Sequence, residues 1–92
     1  MPLLCDEEFL ARVQRYGRVQ VPVLIRWRHK LEAGEVLGVY IYFRRKVGSE
    51  GFYARMNRDG RFTIHTVVVE ELGIEPRDML KVTLYAQTKQ KQ

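Results

Sequence analysis

A closed, six-stranded, mainly β barrel with two short helices and a pseudo-twofold axis is the fold this sequence predicts, assembled from two strand-strand-helix-strand units. Three observations predict it. The chain matches itself without a gap at an offset of 43 residues, apolar and polar residues alternate in short runs, and glycine-centred turns separate those runs.

The repeat is plainest where Phe9-Leu-Ala-Arg-Val-Gln-Arg-Tyr-Gly-Arg18 lies over Phe52-Tyr-Ala-Arg-Met-Asn-Arg-Asp-Gly-Arg61. Phe9/Phe52, Ala11/Ala54, Arg12/Arg55, Arg15/Arg58, Gly17/Gly60, Arg18/Arg61, Glu32/Glu75, Val39/Val82 and Tyr42/Tyr85 are identical pairs. Neither half is long enough to bury a core alone, so the two share one. The predicted organisation is a single domain over residues 1–92. Repeat 1 covers about 9–43, an exposed hairpin-like link 44–51, and repeat 2 about 52–86, with short tails at both ends.

In the first strand of repeat 2, Phe52, Ala54 and Met56 form a dry face against wet Tyr53, Arg55 and Asn57. The turn Arg58-Asp-Gly-Arg61 carries the Asp-Gly pair that accepts positive φ, and Arg15-Tyr-Gly-Arg18 keeps the glycine. In the second strand Phe62 and Ile64 alternate with Thr63 and His65. Helices are predicted over Val23 to Leu31, with Pro22 at the first helical position, and over Val67 to Leu72, capped by Gly73. Val67-Val68-Val69 is the poorest helix former of the two. In the last strand Leu80, Val82 and Leu84 alternate with Lys81, Thr83 and Tyr85. Six short strands with exposed edges invite aggregation, and closing the sheet removes the edges; hence the barrel.

Composition narrows the function. No apolar run approaches a membrane span, and residues 1–8 are acidic where a signal peptide is basic, so a cytoplasmic, membrane-free protein is expected. The net charge of +5 is uneven. Residues 9–46 hold nine Lys/Arg against Glu32 and Glu35, a balance of +7, while residues 47–92 hold seven bases and six acids. Attraction for a polyanion is therefore expected on the first repeat.

At Gly17-Arg-Val-Gln-Val-Pro22, and at Gly60-Arg-Phe-Thr-Ile-His65 with Glu71-Leu-Gly-Ile-Glu-Pro-Arg-Asp78, the chain resembles the AbrB/MazE/SpoVT transcription-factor domain. The resemblance recurs once in each repeat and covers nearly the whole chain. It implies a fused, monomeric cradle-loop barrel of archaeal RIFT type, favoured over the double-psi form, where single-copy relatives dimerise. It also implies DNA contact through Arg12, Arg15 and Arg18 with Arg55, Arg58 and Arg61. Three positions depart from the family motif: His65 replaces its proline, Arg77 replaces its glycine, and Arg28-His-Lys-Leu31 replaces the Leu-Gly-Ile turn.

Arg12, Arg15, Arg18, Arg26, Arg28, Lys30, Arg44, Arg45, Lys46, Arg55, Arg58 and Arg61 are the candidate nucleic-acid-binding residues, because cations that neutralise phosphates release counterions. The same charges also suit an ordinary solvated surface. Tyr40, Tyr42, Tyr53 and Tyr85 fall on outer faces, where covering a small sheet outweighs stacking bases; Trp27 is expected to plug or cap the core. The single thiol, Cys5, is expected to be inert, and His29 and His65 have no partner at metal-ligand spacing. No phosphate loop, nucleophile elbow or cofactor motif occurs, so no catalytic residue, metal or cofactor is assigned. The leading expectation is a DNA- or RNA-binding regulator using the basic face of repeat 1. A protein-interaction or small-ligand module is the alternative, and an enzyme of the archaeal riboflavin kinase type is a distant third, resting on fold analogy alone.

Overall fold

The computed structural model describes residues 5–85; position 86 and the C-terminal tail expected from the repeat lie outside them. The elements run β1 (Glu7–Arg12), a 3-10 turn (Arg15–Gly17), β2 (Arg18–Gln20), α1 (Val23–His29), β3 (Val36–Phe43), a 3-10 turn (Arg44–Lys46), β4 (Gly48–Arg55), β5 (Arg61–Thr63), α2 (Thr66–Leu72) and β6 (Met79–Tyr85). β2 and β5, and α1 and α2, begin and end at residues 43 positions apart, so the repeat governs the local structure. Mainly β with two short helices is the observed class.

The closed barrel is not. Strand pairing makes two antiparallel sheets, one of four strands in the order β1-β6-β3-β4 and one of two, β2-β5. The reason lies in the length of β2 and β5, three residues each. Each is bounded by a glycine turn on one side and by a helix N-cap, Pro22 or His65, on the other. They pair with each other from Arg18↔Thr63 to Gln20↔Arg61 and leave no ladder to join β1 or β4. The edges that a barrel would abolish are instead blunted by charge, Glu8 and Arg12 on β1, Glu50 and Arg55 on β4.

The halves interleave. β1 of the first unit pairs with β6 of the second, β4 of the second pairs with β3 of the first, and β3 and β6 meet in the middle. One buried cluster therefore draws Leu37, Val39 and Ile41 from β3, Leu80, Val82 and Leu84 from β6, Val19 and Phe62 from the small sheet, and Ile25, Val68 and Leu72 from the helices. Each large side chain buried this way stabilises by about 1.5–3 kcal/mol, and the cluster draws on both units.

The predicted alternation holds: Ala54, Met56, Phe62, Ile64, Leu80, Val82 and Leu84 are buried, and Tyr53, Arg55, Thr63, His65 and Lys81 are exposed. The Val67-Val68-Val69 run is helical because Val68 and Leu72 enter the core, so packing overrides propensity. Three local expectations change. Pro22 is the N-cap of α1 rather than its first helical residue. Pairing of β3 with β4 reaches Phe43↔Gly48, so the connection between repeats shortens to residues 44–47. Trp27 is 70% exposed instead of plugging the core. Ile25 and His29 define the buried side of α1, and two residues on from Ile25, or about 200° around the helix, Trp27 must face out.

Candidate nucleic-acid interface

The β-sheet register decides which charges meet. On the outer face of the large sheet Leu10 of β1, Lys81 of β6 and Tyr42 of β3 lie in one row across three strands, with Arg12 and Met79 paired in the next. The chain enters β6 through Arg77-Asp78 and leaves β3 through Arg44-Arg45, so both connections rise beside that row. They enclose a groove of about 910 Å³. Its cations are Arg12, Arg44, Arg45, Arg77 and Lys81, and Leu10, Tyr42 and Met79 form its apolar part.

Asp78 is the one acidic side chain in the lining. Its Oδ2 accepts from the Glu75 backbone N–H at 2.7 Å, which closes the turn, and its Oδ1 lies 3.4 Å from an Arg45 nitrogen. Arg12 donates to the Arg77 carbonyl at 3.2 Å. Lys81 pairs with Glu8 at the sheet edge, 3.0 Å away, and its ammonium lies 6.0 Å from the Tyr42 ring centroid. Among the described residues Arg44 and Arg77 have no carboxylate at ion-pair distance. The groove therefore carries a net positive field beside an apolar and aromatic surface.

Arg77 is held at φ 79, in the left-handed region. Its counterpart in the first repeat is Gly34, at φ 90. A side chain in that conformation costs about 1–2 kcal/mol that glycine avoids, a cost that Lys30, opposite Gly73 in the repeat, bears as well.

The remaining sequence candidates go elsewhere. Arg18 and Arg58 line a second, smaller cleft of about 520 Å³ with Asn57 and Asp59, where the two glycine turns come together. Asp59 offsets part of that charge: Arg61 donates to it at 2.6 Å, which holds its carboxyl below the usual aspartate range, and Arg61 also bonds Gln14. Arg15 is exposed in the adjoining 3-10 turn. There Tyr16 is 74% exposed at φ 66, with the Arg18 guanidinium 6.0 Å from its ring centroid. Arg26 is structural; its Nε donates to the Val21 carbonyl at 3.1 Å and its guanidinium packs over Gly60. Arg28 pairs with Glu7 at 2.7 Å. Lys30 closes α1 in the left-handed conformation. Arg55 donates to the Gly34 carbonyl, and Lys46 is exposed on the turn after β3 without lining the groove.

Of the twelve candidates, then, the groove gathers Arg12, Arg44 and Arg45, and adds Arg77 and Lys81 from the near-neutral second repeat. Net charge by segment hid both. The sequence signals for Arg77 are its place at a turn position where the first repeat has Gly34 and where the family motif has glycine. Tyr40 and Tyr85 meet edge to face at 6.3 Å and Tyr40 donates to Ser49.

No helix among the described residues is long and apolar enough to cross a membrane. No family model matches the chain, and no curated protein matches it in sequence. In structure it is similar to a protein from Pyrococcus horikoshii, described as the solution structure of PHS018, with a TM-score of 0.80, 26% sequence identity and full coverage of both chains.

Proposed function

We propose that this protein binds nucleic acid in the groove between the ends of β1, β3 and β6, with Arg12, Arg44, Arg45 and Arg77 on phosphates and Tyr42, Leu10 and Met79 against sugar or base. The observation that carries the reading is Arg77. It stands in a left-handed turn that glycine would occupy without strain, and its charge enters a groove with four other cations and one carboxylate. Phosphate contacts of this kind supply most of non-specific affinity and make it salt-dependent. The reading includes kinship with the AbrB/MazE/SpoVT domain, on the motif residues of each repeat, but moves the main contact surface away from the glycine turns that the resemblance implied.

Fluorescence anisotropy with labelled duplex DNA, single-stranded DNA and RNA over a salt series tests it. Joint replacement of Arg12 and Arg45 by Ala weakens binding and lowers the slope of log affinity against log salt by about one unit for each phosphate left unneutralised. The paired replacement of Arg58 and Arg61, one of whose two charges Asp59 already offsets, has a smaller effect. No affinity for any of the three at low salt, with the fold intact, discards the proposal. The alternative is then a protein-interaction module, favoured by Val23, Leu24 and Trp27, which expose an apolar face of α1.

A further inference from the structure

The fold brings His29 to two side chains that lie close together at the start of the chain. Cys5 precedes β1, Glu7 opens it, and His29 ends α1; the Cys5 thiol sulfur, a Glu7 carboxylate oxygen and a His29 ring nitrogen all lie within 4.8 Å of one another. His29 is 2% exposed and is the one buried polar or charged residue among the described residues. Its Nε2 donates to Glu7 Oε2 at 2.7 Å, and the Arg28 guanidinium donates to the same oxygen at 2.7 Å.

The second repeat acts as an internal control. The residue equivalent to His29 is Leu72, buried in the same place at the end of α2. An apolar side chain satisfies the packing there, so the architecture does not require an imidazole, whose burial must be offset by hydrogen bonds. The counterpart of Cys5 is Gly48, which carries no ligand at all.

We propose that Cys5, Glu7 and His29 form a site for a divalent transition metal of the zinc class, independent of the nucleic-acid groove. Sulfur, imidazole nitrogen and carboxylate are the donors zinc takes, at about 2.0–2.3 Å, which places ligand atoms roughly 3.3–3.8 Å apart in a tetrahedron. The His29–Glu7 contact opens by about 0.6 Å and the sulfur, whose distance to N and O in such a tetrahedron is about 3.5 Å, closes by about 1.3 Å at most to meet that spacing. Cys5 is exposed, leaving the fourth position to water. Binding releases the thiol proton, and the Nε2 proton moves to Nδ1 or leaves, so that sulfur and Nε2 present lone pairs to the metal. Arg28 stays on the Glu7 carboxylate and orients it from outside the ligand set.

The test is titration of the reduced, metal-free full chain with Co²⁺, followed by Zn²⁺. The expected result is a near-ultraviolet thiolate-to-cobalt charge-transfer band that saturates at one ion per monomer and is abolished by zinc. Because the chain has a single cysteine, Cys5→Ser removes the band, and Glu7→Gln weakens cobalt binding by about tenfold or more while circular dichroism stays unchanged. Absence of the band in the wild-type protein overturns the proposal. So does saturation at half an ion per monomer, which indicates two chains sharing a metal through sulfur, or a titration that Glu7→Gln leaves untouched.

Discussion

Replacing Arg77 by Gly separates stability from binding, because the two respond in opposite directions. In the folded protein the substitution relieves a positive φ, worth about 1–2 kcal/mol. It also gives the unfolded chain more freedom, which takes back about 0.4–1 kcal/mol. The net effect is a gain of between about zero and 1.5 kcal/mol, and each kcal/mol raises Tm by about 4–8 °C in a domain of this size. The Arg12 bond to this residue accepts at the backbone carbonyl and survives the change. Binding gives up one charge-assisted bond to phosphate, about tenfold in affinity, and the salt slope falls by about 0.7 on single strands or 0.9 on duplex. Urea unfolding and anisotropy on the same preparations give both numbers. A variant that is destabilised, or that binds with unchanged affinity and slope, refutes the argument that Arg77 is strained for function.

Four further outcomes are expected. Gly60→Ala destabilises by about 2–3 kcal/mol and Gly17→Ala by about 1–2 in urea melts, although the two are repeat equivalents: both are at positive φ, but a Cβ at 60 meets the Arg26 guanidinium at 2.5 Å and displaces its bond to Val21, whereas at 17 the nearest atom is 3.6 Å away. Sedimentation finds a monomer at micromolar concentration, since the interleaved repeats supply each other's partners within one chain; an obligate dimer contradicts that. Residues 1–47 alone show no cooperative thermal transition, because β1 and β3 are then without their partners β6 and β4. By NMR, Asp59 titrates below the ordinary aspartate range, and Arg61→Ala moves it back up. A depressed folded pKa means that this pair stabilises above the unfolded value and that its contribution fades as pH falls through the folded one.

The repeat and the alternation were legible in the sequence because they are local: a period of two along a strand and a fixed offset between units locate β2, β5 and both helices without reference to their neighbours. Closure was not legible. It depends on whether three-residue strands such as Arg18–Gln20 pair onward, which is a property of turn and cap geometry on both sides. The groove was half legible for a similar reason. Arg12, Arg44 and Arg45 stand in the basic half, but Arg77 and Lys81 join them only through the β1-β6-β3 register. Cys5, Glu7 and His29 meet where the start of β1 lies beside the end of α1, a juxtaposition that ligand spacing along the chain does not encode. The aromatic size of Trp27 suggests core, whereas the helical phase set by Ile25 and His29 turns it outward.

The groove is tested most directly by titrating the isotope-labelled protein with a short unlabelled oligonucleotide in low salt and following every backbone amide. The account predicts shifts concentrated at Arg12, Arg44, Arg45, Arg77 and Lys81, reversed as salt is raised. Shifts confined to the glycine turns around Arg15, Arg18 and Arg58, or no shifts at all, contradict it.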